Sequence, residues 1–85
     1  MRFYGIDYVA HELDVHPSSL RRWEEQGLIA PKRARMGKTT LRIYDEETMG
    51  VLRRAKELMD TGVSASEAFG LASKEIGNRE EPYHD

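Results

Sequence analysis

Apolar residues recur at helical spacing in four blocks of this chain, and the residues between the blocks are of the kinds that stop or start helices. Ile6, Val9, Ala10 and Leu13 fall at i, i+3, i+4 and i+7, one stripe of a short amphipathic helix. Asp14 ends it, because aspartate tolerates the left-handed backbone of a tight turn better than most residues. His16-Pro17 starts a second helix, with proline at the first helical position, where its missing N–H costs nothing. This helix runs to Gln26, and Gly27 stops it. At about 100° per residue, Leu20 and Trp23 face inward with the stem of Glu24 beside them. Ser18, Arg22 and Glu25 face outward, and Arg21 lies on the flank. Two short helices joined by a tight turn form a helix-turn-helix.

The period then changes from helical to alternating. Thr39, Leu41 and Ile43 alternate with Thr40, Arg42 and Tyr44, a half-buried strand rich in β-branched residues. Gly37 sits where a hairpin must turn, so residues 28–44 are expected to form a two-stranded β-hairpin with a long basic tip, a wing. Asp45 can cap a third helix, with Glu46 and Glu47 favourably placed against its N-terminal dipole. Met49, Leu52, Ala55 and Met59 form the stripe of that helix, and Thr61-Gly62 stops it. Ser64-Ala65-Ser66-Glu67 is a capping box for a fourth helix, with Ala65, Ala68, Phe69, Ala72 and Ile76 at helical spacing. From Gly77 the sequence turns polar, acidic and proline-containing. The expected fold is a mainly α winged helix-turn-helix of about four helices and one hairpin. It occupies residues 1–76, and a flexible acidic tail follows over 77–85.

At 85 residues the chain is one small domain with little room for an enclosed substrate cavity. It has no cysteine, which excludes disulfides, thiol catalysis and Cys-ligated zinc. Mean hydropathy is −0.69, no apolar run approaches about 18 residues and no signal peptide opens the chain, so the expected location is cytoplasmic, at the nucleoid. The net charge of −2 does not suggest a polyanion partner, but its distribution does. Between Pro31 and Tyr44 stand five basic residues and no acidic one, and Arg21-Arg22 lie just upstream. Gly37-Lys38-Thr39-Thr40 resembles the end of a phosphate-binding loop, yet Lys32 occupies the position of the first required glycine and a strand follows. His11, His16 and His84 lack metal-ligand spacing, and His16 is better used as a cap. The carboxylates lie on helix starts and the tail, so neither an enzyme nor a cofactor or metal site is expected.

The stretch from Ile6 to Leu71 resembles the N-terminal DNA-binding domain of the MerR family of bacterial transcription regulators. The likeness is carried by Val15-His16-Pro17-Ser18-Ser19-Leu20-Arg21-Arg22-Trp23-Glu24-Glu25-Gln26-Gly27-Leu28-Ile29, then Pro31 and Arg33. It continues through Leu41-Arg42-Ile43-Tyr44, Asp45-Glu46-Glu47 and Gly62-Val63-Ser64. Within the family, His-Pro before Leu-Arg is closest to the heat-shock-repressor branch. Arg22, Leu41 and Asp14 stand where the family most often has an aromatic residue, tyrosine and glycine. Family members usually continue into a long dimerising helix and an effector-binding domain. This chain stops near the start of that helix, so effector sensing and a coiled-coil dimer are not expected of it.

The resemblance implies sequence-specific binding of double-stranded DNA in transcription regulation, with the second helix (17–26) in the major groove and the wing (31–44) on the backbone or minor groove. Ser18, Ser19, Arg21 and Arg22 sit on the early turns of that helix. The planar fork of arginine matches guanine, and Arg22 is the candidate base reader, while Arg21 suits a phosphate or holds the wing. The competing reading is a solvated face carrying an Arg21–Glu25 pair. Lys32, Arg33, Arg35, Lys38 and Arg42 form a wing of one sign, suited to phosphates, with a solubilising loop as the plainer reading. Tyr44 either contacts sugar-phosphate or packs against the hairpin. Five such cations would give a slope of log K against log salt of about −4 to −5. A free monomer, or at most a weakly self-associating one, is expected, since the helices need their apolar stripes for the core. Further copies on DNA, or RNA polymerase, are the additional partners. Two alternatives remain open, an excisionase-type architectural DNA-binding protein and a protein-binding adaptor that uses the same fold without DNA.

Overall fold

The computed structural model of the chain describes residues 3–80. Its elements in order are β1 (Phe3–Tyr4), α1 (Ile6–Leu13), α2 (Pro17–Glu25), β2 (Lys32–Met36), β3 (Thr39–Asp45), α3 (Glu46–Asp60) and α4 (Ala65–Glu80). The architecture is a mainly α winged helix with one three-stranded antiparallel sheet.

The helices start and stop where local chemistry allows. His16 caps α2 through a ring nitrogen that accepts from the Ser18 N–H at 3.1 Å. Asp45 Oδ1 caps α3 by accepting from the Thr48 N–H at 2.9 Å, and Ser64 Oγ accepts from the Glu67 N–H at 3.3 Å at the start of α4. The ends of α1, α2 and α3 share one device. Asp14, Gly27 and Gly62 have φ of 57°, 78° and 104°, and the apolar residue after each returns its N–H to the helix. Val15 donates to the Ala10 carbonyl at 3.0 Å, Leu28 to Trp23 at 2.9 Å and Val63 to Leu58 at 3.2 Å. Val15, Leu28 and Val63 then pack against the core, so each turn is pinned by a hydrogen bond and an apolar plug.

The core gathers Val9 and Leu13 of α1, Leu20 of α2, Met49 and Leu52 of α3, and Ala68, Phe69 and Ala72 of α4. Ile29 from the loop and Tyr44 from β3 complete it. Trp23 anchors as the periodicity implies, with its ring tilted against Phe69 at 5.2 Å between centroids. Burial of these stripes is the main stabilising term, at about 25 cal/mol per Å² of apolar surface. No helix among the described residues is long and apolar enough to cross a membrane.

Three features differ from the reading of the sequence. First, α4 continues past Ile76 to Glu80, through residues assigned to the tail. A helical glycine at 77 costs only about 1 kcal/mol. Residues 81–85 of the expected tail lie outside the described residues. Second, the wing is a compact hairpin and not a long basic tip. Met36 pairs with Thr39 across a two-residue turn whose first central residue, Gly37, has φ 62°. Of the five cations, Lys38 alone is therefore in the turn. Third, a strand that the periodicity does not show, β1, pairs with the end of β3 (Phe3 with Asp45, Tyr4 with Tyr44) and makes the strand order β1-β3-β2. Two residues are too short to display a period.

The alternation along β3 divides the sheet into two unlike faces. Residues directly opposite on paired strands share a face. The register Arg33–Arg42 and Arg35–Thr40 gives one face three arginines, while Ala34–Leu41 and Lys32–Ile43 give the other an apolar stripe. The arginine face is the one that turns toward the helices, and Tyr44 at its inner end is completely buried. The Tyr44 hydroxyl is buried without a hydrogen-bond partner among the described residues. Burial, with the Glu24 carboxylate nearby, pushes it above the ordinary tyrosine range.

Two outcomes follow for stability. The Thr48 backbone N–H and hydroxyl, with Lys32 beyond, hold the Asp45 carboxyl below its ordinary range. A carboxyl held below its unfolded value contributes stability that is complete above about pH 4 and is lost as pH falls through the folded value. Asp45→Asn, which keeps an acceptor for Thr48, should flatten this part of the acid limb, and Asp45→Ala should cost about 1 kcal/mol at neutral pH. Urea unfolding between pH 7 and 3 measures both, and a wild-type acid limb in the Asn variant would exonerate the carboxylate. Tyr44→Phe removes a buried hydroxyl that nothing satisfies and should raise stability by about 1 kcal/mol. A loss of similar size in the same measurement would show the hydroxyl to be bonded.

Candidate nucleic-acid interface

The outward face of α2 follows from its stripe. With Leu20 and Trp23 turned to the core, Ser18, Arg21 and Arg22 are exposed and Ser19 is half-buried. Ser18 Oγ lies 2.9 Å from His16 Nδ1, the nitrogen that already accepts the Ser18 backbone N–H. The hydroxyl therefore donates inward to the cap and offers its lone pairs outward, which suits it to a donor on a partner better than to a phosphate. Arg21 and Arg22 make no ion pair among the described residues and extend from the second turn of the helix.

The wing cations fall into two groups. Arg33 and Arg42 stand directly opposite each other on β2 and β3, like charges that would repel in isolation. The Glu24 carboxylate reaches between them from α2. One oxygen accepts from Arg33 Nη2 and the other from Arg42 Nε, the latter at 2.6 Å. The Glu24 side chain is only 18% exposed, and its hydrogen bond holds the Arg42 guanidinium in its charged form even more firmly than usual. Lys32 reaches Asp45 at 3.4 Å. Arg35 and Lys38, toward the turn, have no acidic partner among the described residues and are exposed.

Several expectations change accordingly. The five cations do not form an unpaired row, because three of them meet acids. Those acids, Glu24 on α2 and Asp45 at the cap of α3, are separated from them in sequence and brought close by the fold. Arg33 and Arg42 act first as a clamp between wing and α2, with Arg33 the more exposed of the two. Tyr44 cannot meet sugar or phosphate, since β3 directs its ring into the core and leaves it 0% exposed. Glu24 is the residue that sequence reasoning missed. Its signal was present in a carboxylate on the boundary between the buried and exposed faces of α2, upstream of a hairpin with no acid of its own.

Arg21 and Arg22 thus lie on the helix that Glu24 ties to Arg33, and Arg35 shares the sheet face of Arg33, with Lys38 in the turn at the end of the wing. No group of three or more His, Asp or Glu side chains gathers as a metal site among the described residues; His84 lies outside them.

Residues 4–75 match the sequence model of the MerR HTH family regulatory proteins. Over 71 residues the chain is 35% identical to the HTH-type transcriptional repressor CarH of Myxococcus xanthus, a span covering 82% of this chain and 23% of that protein. Over 76 residues it is 33% identical to the HTH-type transcriptional regulator MlrA of Escherichia coli (strain K12), covering 88% of this chain and 30% of that protein. The chain therefore spans less than a third of the length of either relative. The matched segment runs from β1 through the helix-turn-helix and wing to the body of α4, and on that match the chain belongs to the MerR HTH family.

Proposed function

We propose that this chain is a sequence-specific double-stranded DNA-binding module of a bacterial transcription regulator, acting in the cytoplasm on the nucleoid. The observation that carries the reading is the clamped basic surface. Glu24 fixes the wing to α2, so the exposed arginines of the helix and the free cations of the hairpin approach a duplex as one rigid body. Helix α2 enters the major groove, with Arg22 reading base edges through its bidentate fork and Ser19 and Arg21 beside it. Arg35 and Lys38 take phosphates of the adjacent backbone, and Arg33 reaches phosphate from its clamped position. Lys32 and Arg42 support the wing through Asp45 and Glu24. The net charge of −2 does not oppose this, because the local surface decides what approaches, and Glu24 and Asp45 are engaged in holding the wing.

The paired cations lower the expected salt dependence. The cations set on phosphate (Arg21, Arg35 and Lys38, with Arg33 from its clamped position) give a slope of log K against log salt of about −3 to −4. Fluorescence anisotropy on a random-sequence duplex between about 50 and 300 mM salt measures it. A flat response, or no binding at the lowest salt, would sink the DNA reading.

Base reading and anchoring separate by mutation. On the site recovered by selection from a random library, Arg22→Ala should cost roughly 1–3 kcal/mol and change random-duplex binding little. Arg35→Ala and Lys38→Ala should weaken both targets alike and each reduce the salt slope by about 1. Equal losses on both targets from Arg22→Ala would move it into the anchoring group.

A further inference from the structure

The first turn of α2 carries a hydrogen-bond polarity that the proposed mode of binding leaves unused. His16 precedes the helix and is exposed, and its Nδ1 receives the Ser18 backbone N–H at 3.1 Å. A nitrogen that accepts an amide hydrogen carries none itself, so the neutral ring holds its one hydrogen on Nε2. Ser18 Oγ lies 2.9 Å from the same Nδ1. With no hydrogen on that nitrogen, the contact is a hydrogen bond only when the hydroxyl donates it. A serine hydroxyl has one hydrogen and two lone pairs, and ordinarily turns to suit whatever it meets. Here the hydrogen is committed to the cap. The exposed side of the oxygen is left as an acceptor.

We infer that Ser18 sets sequence preference at one position of the DNA site by accepting from an exocyclic amino group, adenine N6 or cytosine N4, and that His16 positions it for this by holding its hydrogen. This role rests on the DNA-binding reading and adds a second base reader to Arg22. Ser18 and Arg22 are four residues apart, one turn of α2, and both are exposed on the side away from buried Leu20. In a recognition helix the N-terminal residues come closest to the base edges. The chemistry then selects the base. In the major groove guanine offers the acceptors O6 and N7, and thymine offers an acceptor and a methyl group, whereas adenine and cytosine each present an amino donor. A hydroxyl free to rotate would tolerate both classes. One that only accepts meets another acceptor at guanine, thymine or phosphate. Arg22, which only donates, suits guanine. The two residues therefore read opposite chemistries on nearby base pairs, since a helical turn of about 5.4 Å covers roughly two steps of about 3.4 Å.

The test uses the full chain and the site recovered by selection from a random library. Within about two base pairs of the guanine whose preference Arg22→Ala removes, the wild type should select adenine or cytosine. Ser18→Ala should lose that preference with its fold intact by circular dichroism. Replacing the selected adenine by purine, or cytosine by pyrimidinone, deletes only the amino group and should weaken wild-type binding roughly three- to tenfold. The same replacement should cost Ser18→Ala less than about twofold, which assigns the loss to the pair and not to the altered duplex. His16→Ala frees the hydroxyl and should bring adenine and guanine at this position within about twofold of each other. His16→Asn keeps an acceptor for both Ser18 donors and should retain the wild-type preference, whereas a residue that only capped the helix would leave base preference unmoved in either variant. Without DNA, the ring nitrogen shifts in mildly alkaline buffer should place the His16 hydrogen on Nε2. A hydrogen on Nδ1, selection of guanine or thymine at this position, or an unchanged preference in Ser18→Ala while Arg22→Ala relaxes its own, would each overturn the inference and leave DNA binding standing. Absence of binding to any duplex at the lowest salt would overturn the DNA reading and this role with it.

Discussion

The Glu24 carboxylate is the point on which the rest of the surface depends. It lies where helix and hairpin meet and is shared by two guanidiniums that the sheet register places directly opposite each other. An isolated surface ion pair contributes little, about 0–1 kcal/mol. The value of this one is geometric. Without an acid between them, Arg33 and Arg42 would repel across the strands, and the hairpin would be free to tilt against α2. With it, a two-stranded ribbon that is marginal on its own is tied to a helix already fixed by Leu20 and Trp23. Tyr44 secures the same ribbon from the inside, one turn of the alternation further along β3, by placing a whole aromatic ring in the core.

The hairpin therefore serves two chemistries at once. Its arginine side is partly neutralised and aligned with α2, and its apolar side is turned to solvent beside α1. A single short alternation in sequence, Arg33-Ala34-Arg35-Met36, encodes both sides. A third strand supports a hairpin that is marginal on its own, which gives β1 a purpose beyond its two residues. By pairing with Tyr44 and Asp45 it closes the inner edge of β3 and brings Phe3 and Tyr4 beside α1, where Tyr4 stacks on Tyr8 at 5.0 Å.

Much of this was legible in the sequence because the signals are local. The triplets Leu13-Asp14-Val15, Gln26-Gly27-Leu28 and Thr61-Gly62-Val63 each carry a residue that accepts a left-handed backbone and an apolar residue to follow it. The caps at His16, Asp45 and Ser64 are likewise set by neighbours within a few residues. What could not be read depends on partners distant in sequence. Alternation along β3 shows that the strand has two sides but not which is inward, and here the inward side is the one with arginine and tyrosine. The ion pairs of Glu24 with Arg33 and Arg42 span 9 and 18 residues and leave no periodic trace. The exposed side of Arg22 was legible from the stripe of α2, whereas the engagement of Lys32, Arg33 and Arg42 was not.

The shared helix ending also determines where this chain can change length. After α1, α2 and α3 the left-handed residue and the plugged apolar residue act as one unit, so an inserted residue would pull Val15, Leu28 or Val63 out of the core and unmake the stop itself. Between β3 and α3 there is no connecting residue at all, because the last residue of the strand is the cap of the helix. The Gly37-Lys38 turn is different. Its flanking residues are exposed and nothing beyond it is anchored in the core. Length variation among chains of this shape should therefore concentrate at the tip of the wing, where added residues lengthen the reach of the hairpin and leave the packed body as it is.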